Sequence, residues 1–196
     1  MHLPDRRNVS RPLRGICVAA IFGLAGCQIT TASLSRPPEA LLGGDITVAG
    51  PRGYCVDPAA TREQADTAVV LMGRCRFALA VAPAILTVSI GPSGSAGAMA
   101  AGGAALTRYF TSPEGRAALS RTGRSRDVTV LHASMAGEAY LLHLNDTEAG
   151  EYWRAVVGLN GRLVTISANG TQAAPLPPDV GQTLLDAALT VLRRAN

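Results

Sequence analysis

The dipeptide Asn160-Gly161 constrains the fold most, because it separates two apolar runs, Tyr152 to Leu159 and Arg162 to Ala168. A two-residue type I′ hairpin needs positive φ at both positions, which Asn and Gly tolerate best, and its twist matches that of the strands it joins. The two runs are therefore expected to be antiparallel neighbours. Asp127 to His132 and Ala139 to Leu144 precede them with short connections, so four strands in meander order are expected over residues 127–168. Ile46 to Val48, Thr67 to Met72 and Ala84 to Ile90 are further strand candidates, and Thr61 to Ala65 is expected to make one helical turn. Ser95 to Phe110 reads as an Ala-rich helix weakened by Gly102 and Gly103, each costing about 1 kcal/mol against Ala. Ser112-Pro113-Glu114 opens a second helix, with an N-cap, Pro at the first position and an acid in the first turn, ending near Arg121 to Gly123. Pro178 to Arg194 reads as a closing amphipathic helix with Val180, Leu184, Ala188 and Val191 on its apolar stripe. Asp179 near its start and Arg193 and Arg194 at its end suit the helix dipole. This order implies an α+β fold: a mainly antiparallel sheet with two helices mid-chain and a C-terminal amphipathic helix packed on it.

The N-terminus has a different character. Arg6, Arg7, Arg11 and Arg14 lead into an apolar run, Gly15 to Ala25. At about eleven residues, that run is well short of the roughly twenty that cross a bilayer as a helix, and it has the form of a cleaved export signal. It ends in Leu24-Ala25-Gly26-Cys27, which resembles the bacterial lipobox. The resemblance implies cleavage before Cys27, diacylglycerol and palmitate on that cysteine, and a place in the envelope of a Gram-negative bacterium. Each buried methylene of such chains contributes about 0.8 kcal/mol, and two or more chains give stable anchoring. Gln28 follows, where Asp is the family's signal for inner-membrane retention, so the outer membrane facing the periplasm is implied. Asn8, Val9 and Ser10 fit a twin-arginine signal poorly after Arg6-Arg7, which leaves general secretion as the route. The chain then divides into a signal (1–26), a Ser/Thr/Pro-bearing tether (27–44) and one domain (45–196).

Export changes how charge and cysteine are counted. The chain carries 18 Arg and 14 acids and no Lys, for a net charge of +4; residues 1–26 hold four of the Arg and one acid. The remainder has 14 Arg and 13 acids, net +1, so the high pI is a targeting feature and argues for no nucleic-acid partner. Of the four cysteines, Cys17 lies in the signal and Cys27 matches the lipid site, which leaves Cys55 and Cys75 as a pair in an oxidising compartment. A disulfide between them is expected, closing a loop of about twenty residues.

The Tyr152-Trp153-Arg154 strand, the Gly161-Arg162-Leu163-Val164-Thr165 return and the final amphipathic helix follow the same order as in the α/β sandwich of the PsbP and Mog families, which the chain resembles. The chain is also similar to uncharacterised alphaproteobacterial lipoproteins. The resemblance covers about the last hundred residues and implies a fold without an activity.

Several constellations are candidate sites. Ser93-Gly94-Ser95-Ala96-Gly97 is an incomplete Gly-x-Ser-x-Gly elbow, and a Ser95 nucleophile would need His132 or His143 as base and Asp127 or Asp146 as acid. The same Gly91 to Gly97 loop, opening a helix, offers backbone N–H groups to an anion. With residues 132 and 139 paired, His143 would stand about 13 Å from His132, too far for a shared metal. Asp146, Glu148 and Glu151 match no calcium-loop spacing. Arg116, Arg121, Arg124 and Arg126 form a possible anion-binding cluster for phosphate or carboxylate groups. Tyr152 and Trp153 alternate across a strand, so one is expected in the core and the other against a helix or solvent. With no complete catalytic, metal or cofactor set, the expected function is a non-catalytic envelope lipoprotein, membrane-held by its lipid and binding an envelope protein or component. The alternatives are a small serine hydrolase and a small-ligand or anion-binding module.

Overall fold

The Asn160-Gly161 hairpin forms in the computed structural model, with φ of 47° and 77° at the two residues. The structure describes residues 37–171 and 173–196. The signal, the lipobox and Cys27 lie outside the described residues.

Seven strands make one wholly antiparallel sheet: β3 (Tyr54–Gln64), β4 (Thr67–Arg74), β5 (Ile85–Ser93), β6 (Val128–Ala136), β7 (Ala139–Asp146), β8 (Gly150–Leu159) and β9 (Arg162–Asn169). Their spatial order is β3-β4-β5-β9-β8-β7-β6. A small hairpin, β1 (Glu39–Leu41) with β2 (Ile46–Val48), precedes it. Leu41 and Leu42 are buried, so the folded part begins before Asp45 and takes in residues read as tether. The α+β reading holds.

Alternate residues of each strand face opposite sides. One side, carrying Leu86, Val88, Leu141, Trp153, Ala155, Val164 and Ile166, packs under the C-terminal helix α3 (Pro178–Ala195) and the β1–β2 hairpin. The other, carrying Tyr140, Leu142, Leu144, Tyr152 and Val156, packs under α1 (Gly102–Thr111) and α2 (Pro113–Leu119). The side-chain amide of Asn196, at the end of α3, both donates to and accepts from the backbone of Thr47 at 2.8 Å, which ties β2 to the helix.

Several expectations need correction. Thr61 to Gln64 belongs to β3, and Ala65 sits in the turn at φ 43°. Pairing of Arg62, Glu63 and Gln64 with Val69, Ala68 and Thr67 outweighs an isolated helical turn, whose nucleation is unfavourable. Residues 95–101 form 3₁₀ turns, and the α-helix starts only at Gly102, whose φ of 75° breaks the run. Ser112 caps α2 as expected, accepting from the Gly115 amide at 3.1 Å, but the helix ends at Leu119. A Cβ at Gly115 would strike the Tyr109 carbonyl, so glycine is what permits the sharp α1–α2 junction. The buried stripe of α3 is Gly181, Leu184, Leu185, Ala188, Leu189 and Leu192, turned from the expected one, and Val180 faces outward.

Cys55 and Cys75 are bonded, with Cα atoms 5.1 Å apart. Cys55 stands on β3 and Cys75 directly follows β4, so the bridge fastens neighbouring strands at one end. The outermost strands, β3 and β6, each carry a bulge, between Asp57 and Arg62 and between Val130 and His132.

Candidate functional site

The Gly/Ser loop after β5 is occupied from within. The Ser95 hydroxyl donates to the Pro92 carbonyl at 2.6 Å and accepts from the Leu163 amide at 2.8 Å, which fastens the loop to β9. The Ser93 amide, a candidate donor to an external anion, instead donates to Asp66 Oδ2 at 2.8 Å. Arg162, a buried side chain, reaches Asp66 at 2.6 Å and Asp45 at 3.0 Å and donates to the carbonyls of Asp66 and Gly91. The loop's anion is thus a carboxylate of the chain itself.

That network makes stability pH-dependent. The Ser93 amide first, and Arg162 after it, hold the Asp66 carboxyl below its ordinary range. A lowered carboxyl contributes fully above its unfolded value near ~4 and loses that contribution as pH falls through the folded value. Arg162→Met should therefore lower the urea midpoint at pH 7, with a gap to wild type that narrows as pH is taken below about 4. It should not vanish, because the bonds to the carbonyls do not titrate. Urea unfolding across that pH range checks this; a gap of constant size would refute it.

No member of the expected Ser/His/Asp set meets another in catalytic array. His143 aligns across the sheet with Trp153, Ala168 and Leu86, whereas Ser95 is bonded five residues along β9, at Leu163. Two strand spacings and five residues of rise separate them by roughly 20 Å. They also lie on opposite sides: Ala96 meets Gly158 on the α1 side, and the Trp153 that stacks on His143 meets Gly181 of α3. Asp127 accepts from the Thr122 hydroxyl and from Arg124 Nε at 2.8 Å, and these bonds hold its carboxyl below the usual range. Asp146 accepts from the amides of Glu148 and Ala149, at 2.8 and 3.0 Å, and orders the β7–β8 turn.

The Arg cluster is partly committed too. Arg124 pairs with Asp127, and Arg126 Nε lies 3.8 Å from the same carboxylate. Arg121 is exposed with its backbone amide toward Asp146, and Arg116 is half-buried.

The histidines differ most from expectation. The tight turn at residues 137–138, which pairs Ala136 with Ala139, sets the register so that His132 pairs directly with His143, not with a residue four positions away. His132 is exposed, 3.1 Å from the Ser134 hydroxyl. His143 stacks on Trp153 with ring centroids 4.3 Å apart and planes 3° from parallel. Its Nε2 lies 2.7 Å from Glu151 Oε1, off the direction of a hydrogen bond. Among the described residues no group of three His, Cys, Asp or Glu is placed to hold a metal.

Tyr152 and Trp153 are both buried, one under each helical layer. The Tyr152 hydroxyl donates to the Leu119 carbonyl at 3.4 Å, and burial pushes its pKa up. The Trp153 Nε1–H has no acceptor among the described residues.

Beside this stack the surface opens into a groove of about 490 Å³. The β7–β8 turn forms one wall, with Glu148, Ala149, Gly150 and Glu151; Gly170, Thr171 and the run Pro175-Leu176-Pro177-Pro178 form the other. Three prolines fix φ along that second wall and limit its rearrangement. Glu151, Leu176 and Pro178 also border the His143–Trp153 stack, so groove and stack adjoin. The groove was not anticipated from the sequence; its faint signals were the Pro-rich entry to α3 and the lone Trp.

No family model, curated protein or solved structure matches the chain. The site is therefore read from its own chemistry.

Proposed function

We propose that this chain is a lipid-anchored envelope protein whose domain holds a ligand or partner segment without catalysing its conversion. The observation that carries the reading is the groove between the β7–β8 turn and the start of α3. It is large enough for a small ligand or a peptide segment, has walls stiffened by proline, and presents Glu148 and Glu151 at its rim. Two acids favour an occupant with a cationic or hydrogen-bond-donating group. The lipobox-like Leu24-Ala25-Gly26-Cys27 and the Cys55–Cys75 bridge support the address, since such bridges persist in oxidising compartments. The alternatives are less well supported: Ser95 has its hydroxyl engaged on both sides, and the Gly-rich loop already holds Asp66.

Placing a photo-reactive amino acid at Thr171 of the full chain, in cells, tests both halves. Irradiation should yield a defined adduct in the membrane fraction, identified by mass spectrometry, and Glu151→Gln should weaken it. Cys27→Ser should release the chain from that fraction. No adduct at Thr171 would refute the groove, and normal membrane retention of Cys27→Ser would refute the anchor.

A further inference from the structure

The connection between β4 and β5 reads Cys75-Arg76-Phe77-Ala78-Leu79-Ala80-Val81-Ala82-Pro83-Ala84. Phe77 and Leu79 are 78% and 75% exposed, yet Ala78 between them is only 5% exposed. That alternation belongs to a loop held in place. Cys75 is bonded to Cys55, its amide donates to the Gly53 carbonyl at 2.8 Å, and the Tyr54 hydroxyl donates to the Ala82 carbonyl at 2.7 Å. Two large apolar side chains are thus kept in water by covalent and polar ties, although collapse onto the sheet would bury them. Single exposed apolar residues need no account, but a fixed pair at a loop tip does.

The surroundings are cationic. Arg52, Arg74 and Arg76 are all exposed beside the loop or within it, and the Arg76 guanidinium lies 5.6 Å from the centre of the Phe77 ring. A shallow apolar groove of about 370 Å³ adjoins, lined by Arg52, Tyr54, Val81, Ala82 and Val180, with Asp179 its only acid. The chain's route matters as well. Glu39, at the start of β1, pairs with Val48 of β2, and the chain continues within four residues to Arg52 at this surface. The twelve residues from Cys27 to Glu39 span at most ~40 Å.

From these observations we propose that the Arg76–Leu79 loop docks on a lipid bilayer with anionic headgroups. Phe77 and Leu79 enter the boundary between headgroups and acyl chains, and Arg52, Arg74 and Arg76 pair with the phosphates. The charge favours a bilayer, because a protein partner would need an acidic rim around a matching apolar pit, whereas an anionic membrane offers both over its whole area. The short reach from Cys27, which rests on the lipid anchor proposed above, keeps that surface at high effective concentration. Among the described residues no helix is long and apolar enough to cross a membrane, so this contact is a surface one.

The test uses the full chain with Phe77→Trp, reconstituted into phosphatidylglycerol-rich vesicles carrying brominated acyl chains. Wild type, whose single Trp153 is buried, supplies the background. The expected result is a blue shift and loss of emission from position 77 that neutral phosphatidylcholine vesicles do not cause and that Arg76→Glu reverses. Unquenched emission from the introduced indole on vesicle-attached protein would overturn the docking loop and leave the anchor standing. Quenching that survives Cys27→Ser when vesicles are added would support the loop as a membrane contact in its own right. A blue shift without vesicles, accompanied by dimers in sedimentation that Leu79→Ser dissolves, would assign the patch to a second copy and refute the proposal.

Discussion

Leu185→Ala should lower the unfolding free energy by about 2 to 5 kcal/mol, as expected when a wholly buried leucine is truncated in a core that relaxes only partly. Leu185 has no exposed surface and lies on the face of α3 packed against the sheet. The comparison is Val180→Ala, near the start of the same helix, where the side chain is 36% exposed; there a change within about 0.5 kcal/mol is expected. Urea titration of both variants measures the difference directly. Equal losses would mean that α3 is rotated so that Val180 packs inward as Leu185 does.

Breaking the disulfide should produce the second large effect. In the chain-entropy account, a bridge closing about twenty residues stabilises by about 3 kcal/mol. The Cys55→Ser/Cys75→Ser double variant should therefore melt roughly 6 to 12 °C below wild type, given about 2 to 4 °C per kcal/mol for a domain of this size. Wild type under strong reductant should match it, and the double variant should not respond to reductant at all. A reductant-insensitive wild type would show that the bridge contributes nothing. Because Cys75 also anchors the loop bearing Phe77, local proteolysis between residues 76 and 83 should rise in the variant before global unfolding.

How far the sequence could be read depended on how local the determining interaction was. β7, β8 and β9 were legible because alternation and the Asn160-Gly161 turn act within a few residues. β3 was not: Tyr54–Gln64 contains Pro58, ends in Thr-Arg-Glu-Gln and lies at the sheet's edge, where its outer half buries little and needs no apolar alternation. The β6 bulge turns His132 to the opposite side from Val130, and the hairpin turn at residues 137–138 sets the register that puts His132 opposite His143, although simple counting separated them. On α3, several stripes of nearly equal apolar content were available. Gly181 decides among them, because its missing side chain leaves room for Trp153, whose ring would come within 3.1 Å of a Cβ there. The disulfide was accessible because the expected export signal and lipid site accounted for the other two cysteines and left these two for each other. The groove was out of reach, since its walls come from residues 148–151 and 170–178 and meet only after three strands have paired.

The bulges in β3 and β6 have a consequence beyond their own strands. Chains held on a surface, as the proposed anchor would hold these, would collide in two dimensions, where a regular row of unpaired backbone donors and acceptors would template a neighbour's strand and seed filaments. Here both rims are interrupted, at Asp57/Arg62 and at Val130/His132, so an incoming strand loses register after a few residues. The sheet ends at seven strands, and crowding gives it nowhere to grow.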